Sequence, residues 1–268
     1  MNIAKVSLIT SPKVSIITPN FNQERFLEKT ILSVLGQNYP NIEYIIIDGG
    51  STDRSIDIIK KYSSKLSYWL SEEDGGMYEA INKGFKKSTG DILCWINSDD
   101  IIHSNAISKV VKMFTDNISL QWLQGFPNVI DEEGKEFYKR NPMSNQLYFY
   151  SNFFKIEQLF IQQESTFFKR DLWEESGGKL NTNYDLAADF DLWLRFFNHA
   201  DLYCTHHKLG AFRKREGQKS ENIKEYLSQA EQSIKENYKR LPFISKLKIG
   251  FYNSFGDINY FKRNKWLD

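Results

Sequence analysis

Short β-branched runs alternate with stretches of helical apolar spacing through the N-terminal half of this chain. Val14-Ser15-Ile16-Ile17-Thr18 reads as a strand closed by Pro19-Asn20. Asn22 is placed to cap a helix running to Gly36, with Phe26, Leu27, Thr30, Ile31, Val34 and Leu35 at helical spacing. Ile42 to Asp48 reads as a second strand, and Gly49-Gly50-Ser51-Thr52-Asp53 turns into a helix carrying Ile56, Ile59 and Tyr62. Leu66 to Leu70 is a third strand, Met77 to Lys87 a helix broken by Gly90, Ile92 to Ile96 a fourth strand, and Ala106 to Phe114 a further helix.

This alternation implies an α/β fold with a mostly parallel sheet and helices on both faces. Ligands of such sheets bind beyond the carboxyl ends of the strands. Thr18, Asp48 and the pair Asp99-Asp100 all fall at those ends. The pair follows directly on the run Ile92-Leu93-Cys94-Trp95-Ile96. Adjacent aspartates repel and are costly to desolvate. A hard cation such as Mg²⁺ takes carboxylate oxygens and shares them with substrate phosphates. A metal-bridged phosphate site at the sheet edge is one reading. A solvated turn capping the next helix is the other.

Composition narrows the class. Hydrophobic residues make up 41% and aromatics 15% of 268 residues, enough for one large domain or two closely packed ones. The 35 basic and 34 acidic residues leave a formal charge of +1, which gives no case for a nucleic-acid partner. Two distant cysteines, Cys94 and Cys204, imply no disulfide framework and suit a reducing, cytoplasmic setting. No apolar run approaches the ~20 residues that span a bilayer. Lys5-Val6-Ser7-Leu8-Ile9-Thr10 nearly repeats Lys13 to Thr18, and reads as an added edge strand or a tail.

The segments Val14 to Asn22, Ser33-Val34-Leu35-Gly36-Gln37 and Ile47-Asp48-Gly49-Gly50-Ser51-Thr52-Asp53 occur in a telling order. They are followed by Asp74 to Gly84, Asn97-Ser98-Asp99-Asp100, Gln163 to Arg170, Ala188 to Arg195, and Phe212-Arg213 with Gln218-Lys219-Ser220. In combination these resemble the family 2 glycosyltransferases of the GT-A fold, over about residues 13 to 220. The resemblance implies inverting transfer of a sugar from a nucleotide-diphosphate donor to a hydroxyl of a saccharide or lipid-linked saccharide acceptor, in surface polysaccharide or glycan assembly. It implies Mn²⁺ or Mg²⁺ as cofactor, with Asp100 as metal ligand. Asp99 would meet the donor ribose and share the metal. Thr18 and Asp48 look like donor-nucleoside contacts.

The chain departs from the common Asp-Asp-Gly-Ser form, having Asp48-Gly49-Gly50-Ser51, so the second carboxylate is missing and Asp74 is the residue to compensate. The implied layout is an extension at 1–12, a nucleotide-sugar-binding half at 13–100, an acceptor-binding and catalytic half of the same domain at 101–220, and a helical, basic-aromatic tail at 221–268.

An inverting transfer needs a base on the acceptor hydroxyl. Asp189 and Asp191 are the candidates, two apart on a helix expected from about Leu186 to Asn198, and so facing different directions. Asp191 has Arg195 one turn on, which offers an ion pair. Asp189 lies among Ala188, Phe190, Trp193 and Phe197, where an apolar setting raises a carboxylate's proton affinity. Asp189 is taken as the base, with Asp191 as runner-up.

The run Phe212-Arg213-Lys214-Arg215-Glu216-Gly217-Gln218-Lys219-Ser220 is cationic and loop-like. Similar proteins close it over the diphosphate, often with His at the place of Arg215. An arginine binds phosphate bidentately and ligates no metal. A solvated charged loop is the alternative. Gln163 is placed to touch the donor or acceptor sugar, and Arg170 reads as a helix-surface charge. His206 and His207 read as ordinary surface or core histidines. The stretch Leu147 to Phe154 is core or an acceptor platform.

The tail interleaves Lys246, Lys248, Lys262, Arg263 and Lys265 with Phe251, Tyr252, Tyr260, Phe261 and Trp266. It suits either an anionic membrane surface or packing on the main domain. Two rivals remain. A nucleotidyltransferase would carry a glycine-rich loop where this chain has Thr18-Pro19-Asn20-Phe21. A silent carbohydrate-binding subunit would have no need of Asp100 or Asp189.

Overall fold

The computed structural model describes residues 11–157, 159–255 and 264–267. The near-repeat at 5–10, most of the expected extension, and the tail residues Tyr260 to Arg263 lie outside the described residues.

Strands β1 (Val14–Asn20), β2 (Ile42–Asp48), β3 (Tyr68–Ser71) and β4 (Ile92–Trp95) are separated by helices α1 (Leu27–Leu35), α2 (Ser55–Tyr62) and α3 (Met77–Lys87). Then come β5 (Ile101–Ile102), α4 (Ala106–Asp116), β6 (Trp122–Gln124), β7 (Asn128–Ile130), β8 (Glu136–Lys139), α5 (Gln146–Phe149) and α6 (Asn152–Glu157). The rest is β9 (Thr166–Lys169), α7 (Arg170–Glu175), α8 (Ala188–Phe196), β10 (Leu202–Cys204), β11 (Gly210–Arg213), α9 (Ile223–Tyr238), α10 (Phe243–Phe255) and β12 (Lys265–Trp266).

The large sheet runs β12-β10-β6-β9-β4-β1-β2-β3, and a smaller one runs β5-β11-β7-β8. The pairs of β1 with β2 and β4, of β2 with β3, and of β10 with β6 and β12 are parallel. β9 is the exception, antiparallel to both β4 and β6. It brings the turn at Gln163–Ser165 against the end of β4. Alternate residues feed two cores. Ile17, Ile45, Ile47, Leu93 and Trp95 pack toward α3 and α8, whereas Val14, Ile16, Ile46, Ile92 and Cys94 pack toward α1 and α4. Burial on both faces explains the continuous apolar runs of the central strands.

Two of the boundaries that differ from the sequence reading bear on the sheet edge. β1 continues through Pro19 and Asn20, which pair with Ile47 and Asp48. β4 pairs with β1 only as far as Ile17, so a residue without N–H meets no demand on that side at position 19. The first helix begins at Leu27, not after Asn22. Asn22 has φ +51°, its N–H donates to Ser51 Oγ (2.8 Å), and its Oδ1 accepts from Thr52 N–H (2.8 Å). It ties two strand-end loops together instead of capping a helix.

The aromatic stretch is core. Tyr148, Phe149 and Phe154 are buried, and Phe154 stacks on Phe190 at 5.2 Å. No helix among the described residues is long and apolar enough to cross a membrane.

Candidate active site

A cavity of about 870 Å³ opens at the carboxyl edge of the large sheet. One wall is the end of β1, Pro19 and Asn20, and Phe21 and Gln23 of the loop after it, with Gly49 and Asp74 beside it. An added Cβ on Gly49 would lie 3.0 Å from Asp74 Oδ1 and 3.2 Å from Oδ2. The Asp74 carboxylate thus occupies the space that a longer side chain at position 49 would take. Its Oδ1 accepts from Gly76 N–H (2.8 Å), and its Oδ2 is buried with no hydrogen-bond partner. Burial pushes this carboxyl above its ordinary range.

The turn after β4 supplies the second group. Asp99 lines the cavity, and its Oδ2 accepts from Arg215 Nε at 2.8 Å. Asp100 lies behind it, fully buried. Its Oδ1 accepts from Arg213 N–H (2.7 Å) and its Oδ2 from Asn97 Nδ2 (3.2 Å). Burial, then the charges of Glu164 and Asp99, raise the Asp100 carboxyl well above the usual range. Glu164 forms part of the cavity wall next to Asp100, and burial raises its carboxyl as well, with Asp189 and Asp99 adding to the shift. Gln163, from the same turn, donates Nε2 to Trp95 O (2.5 Å) while also facing the cavity.

Carboxyls whose proton affinities are raised by burial, and further by one another's charge, mark a place where added positive charge is favourable. That fits a hard divalent cation held by Asp99 at the wall, with Asn97 Oδ1, buried and unpartnered, beside it. No group of three His, Cys, Asp or Glu among the described residues forms a ready-made cage. The set instead matches an ion carried by one or two carboxylates together with substrate phosphates.

Tyr78, Asp189, Arg140 and Tyr226 line the same cavity. Asp189 sits in the first turn of α8, and burial raises its carboxyl from 3.8 to about 6. Tyr78 OH donates to Leu186 O (2.8 Å) and lies 3.4 Å from Asp189 Oδ1. Asp191 points the other way. It pairs with Arg195 Nε (2.9 Å) and accepts from Ser233 Oγ (2.9 Å) and Asn237 Nδ2 (3.2 Å) of α9. The pair is largely buried.

Residues 15–174 match the sequence model of "Glycosyl transferase family 2". The chain belongs to glycosyltransferase family 2. An uncharacterised glycosyltransferase of Rickettsia prowazekii is 30% identical over 207 residues, covering 75% of this chain and 64% of that protein. One of Mycobacterium tuberculosis is 30% identical over 192 residues, covering 70% of each. The chain therefore spans a little under two thirds of the Rickettsia relative. Among solved structures, Staphylococcus aureus TarS residues 1–349 with UDP-GlcNAc superposes at TM-score 0.71 and 19% identity, over 93% of this chain and 75% of that one. The mannosyltransferase PcManGT of Pyrobaculum calidifontis, solved with GDP-Man and Mn²⁺, gives 0.66 and 16%, over 92% and 71%. The fold is GT-A.

Within this family 2 chain the structure divides the residues singled out by sequence. Asp74, Asp99, Gln163, Asp189 and Arg215 line one cavity. Thr18 does not reach it, being fully buried with Oγ1 3.1 Å from Tyr44 OH. Asp48 does not reach it either. Its carboxylate accepts from Asn20 Nδ2 (2.6 Å), Ser51 N–H (3.0 Å), Ser51 Oγ (2.5 Å) and Ser71 Oγ (2.7 Å), and so shapes the loops behind the wall.

Arg213 is a further correction. Its Nε donates to Asp99 O (2.6 Å) and its Nη1 to Asp131 O (2.8 Å) and Glu132 O (2.9 Å). It is 1% exposed, and it fastens the Asp99 turn from behind. Arg170 is no loose surface charge but donates to Gly90 O (2.7 Å) and Ser88 Oγ (3.0 Å), away from the cavity. His206 stacks on Trp266 at 4.0 Å and does not line the cavity.

Glu164, Tyr78, Arg140 and Tyr226 were given no role by sequence reasoning. For Glu164 a signal existed, a glutamate in the polar stretch Gln162 to Thr166 set between the apolar pairs Phe160-Ile161 and Phe167-Phe168. Arg140 and Tyr226 sit in no motif.

Proposed function

We propose that this protein transfers a sugar, with inversion, from a nucleoside-diphosphate donor to a hydroxyl of a saccharide or lipid-linked saccharide acceptor, on the cytoplasmic side in glycan assembly. The observation that carries the reading is Asp189. A carboxyl raised to about 6 shares one cavity with the strand-end carboxylate Asp99. A base with an affinity near neutral pH can take a proton and still be deprotonated at rest. Asp189 accepts the proton of the acceptor hydroxyl as that oxygen bonds to the anomeric carbon. The bond from this carbon to the diphosphate oxygen breaks on the opposite side. Tyr78 holds Asp189 in place, and Gln163 and Glu164 of the same cavity offer polar contacts to the sugar.

Arg215 and Lys219, both at the wall, face the charge that builds on the leaving diphosphate. A Mn²⁺ or Mg²⁺ held through Asp99, backed by Asp100, would add Lewis-acid stabilisation of that charge. The UDP-GlcNAc complex of TarS and the GDP-Man and Mn²⁺ complex of PcManGT support the class of donor and cofactor.

The test is a panel of nucleotide sugars, read as release of nucleoside diphosphate with and without acceptor, in Mn²⁺ and in EDTA. Turnover of one donor, lost in EDTA and in Asp99→Asn, is expected. Full wild-type activity in excess EDTA would remove the cation from the scheme. Tight donor binding without turnover on any acceptor would instead favour a binding subunit.

A further inference from the structure

Helix α10 carries large apolar side chains that stand exposed among the described residues. Phe243, Ile244, Leu247, Phe251 and Phe255 are each more than half exposed, Phe243 reaching 76% and Phe255 80%. Phe243, Leu247, Phe251 and Phe255 recur every fourth residue, so with Ile244 they form one stripe roughly 120° wide. The opposite side holds the helix to the domain. Ile249 is buried, Tyr252 packs on the core, and Asn253 Oδ1 accepts from Asn152 N–H (2.9 Å). The helix is therefore fixed with its apolar stripe outward.

The charge around the stripe tells what covers it. From Lys239 to Phe255 the sequence has four basic residues, Lys239, Arg240, Lys246 and Lys248, and no acidic one. The whole chain is nearly balanced at +1, so this segment is a local cationic excess. At helical spacing Lys246 and Lys248 fall on opposite sides of the stripe. Lysines flanking an apolar stripe can reach outward to headgroups while the rings enter the acyl boundary. A second copy of the chain would set this cationic segment against itself.

We propose that α10 is a membrane-surface anchor, lying in the interface of an anionic lipid leaflet with Phe243, Leu247, Phe251 and Phe255 inserted and Lys246 and Lys248 at the headgroups. The helix is too short to cross the bilayer, so the contact is peripheral. This rests on α10 alone and stands apart from the reading of the catalytic cavity.

The experiment is co-sedimentation of the full chain with vesicles of phosphatidylcholine alone or mixed with phosphatidylglycerol. Binding to the mixed vesicles only is expected, weakening as salt is raised. Lys246→Glu with Lys248→Glu should cost at least about fivefold per lysine. Phe251→Ser with Phe255→Ser should abolish binding. Both pairs are outside the core, so their melting temperatures should match wild type, which separates loss of anchoring from loss of folding. Equal binding to neutral vesicles, binding to neither, or a stable dimer in solution that Phe251→Ser dissociates would overturn the proposal.

Discussion

Arg215 Nε lies 2.8 Å from Asp99 Oδ2, so the cationic loop after β11 closes onto the carboxylate best placed to hold a cation. Both side chains are largely buried, and Gln218 Nε2 approaches the same oxygen at 3.4 Å. On the proposed function, a diphosphate in the cavity would offer Arg215 a second anion and would free Asp99 to hold a cation.

Arg215→Ala is expected to weaken binding of the nucleoside diphosphate on the order of ten- to a hundredfold, the worth of a charge-assisted hydrogen bond. Binding of the bare nucleoside should change little. Calorimetry with both ligands decides this. Equal losses for the two would mean that Arg215 only shapes the loop.

Arg213→Ala should behave differently although it lies two positions away. Three backbone carbonyls lose their donor. The cost should be about 2–4 kcal/mol of stability, measured by denaturant unfolding. A variant as stable as wild type but unable to bind diphosphate would show that Arg213 turns outward.

Asp189→Asn should leave donor affinity near wild type and lower turnover by on the order of 10² to 10⁴. Wild-type turnover should climb with pH until about 6 and then level off, because the deprotonated base is the active form. Stability follows the opposite sign. The folded protein binds this proton more tightly than the unfolded chain, whose carboxyl titrates at the ordinary 3.8. The stabilisation is present below that value and is lost as pH rises through about 6. Asp189→Asn should therefore melt higher than wild type at pH 8 and no higher at pH 4. A variant that is inactive yet less stable at pH 8 would point to a structural role.

Asp191→Asn tests the neighbouring carboxylate. It removes the buried charge that a largely buried Arg195 pairs with and that Ser233 and Asn237 of α9 donate to. Loss of about 3–5 kcal/mol is expected, as for one partner of a buried ion pair. Turnover per folded molecule should stay close to wild type. A stable but dead Asp191→Asn would reverse the assignment of the base.

The sequence by itself determined the sheet edge. Hydrophobic period decides which runs become central strands, and parallel connections send the ends of β1, β2 and β4 to one side. That much places Asp99 beside a cavity, and the apolar neighbours of Asp189 already pointed to a raised proton affinity. Only the tertiary structure decided which polar groups at that edge face the cavity. Asp48 and Thr18 sit at strand ends as expected, yet serine and asparagine donors and the Tyr44 hydroxyl turn them inward. Arg213 is consumed by carbonyls more than 80 positions away, and no local pattern records that. The antiparallel insertion of β9 brings Glu164 against Asp100, and the docking of α9 makes Asp191 structural. The physical reason is common to all of them. Burial and partners set the energy of a charged group, and both come from segments distant in sequence, whereas period and propensity act over neighbouring residues.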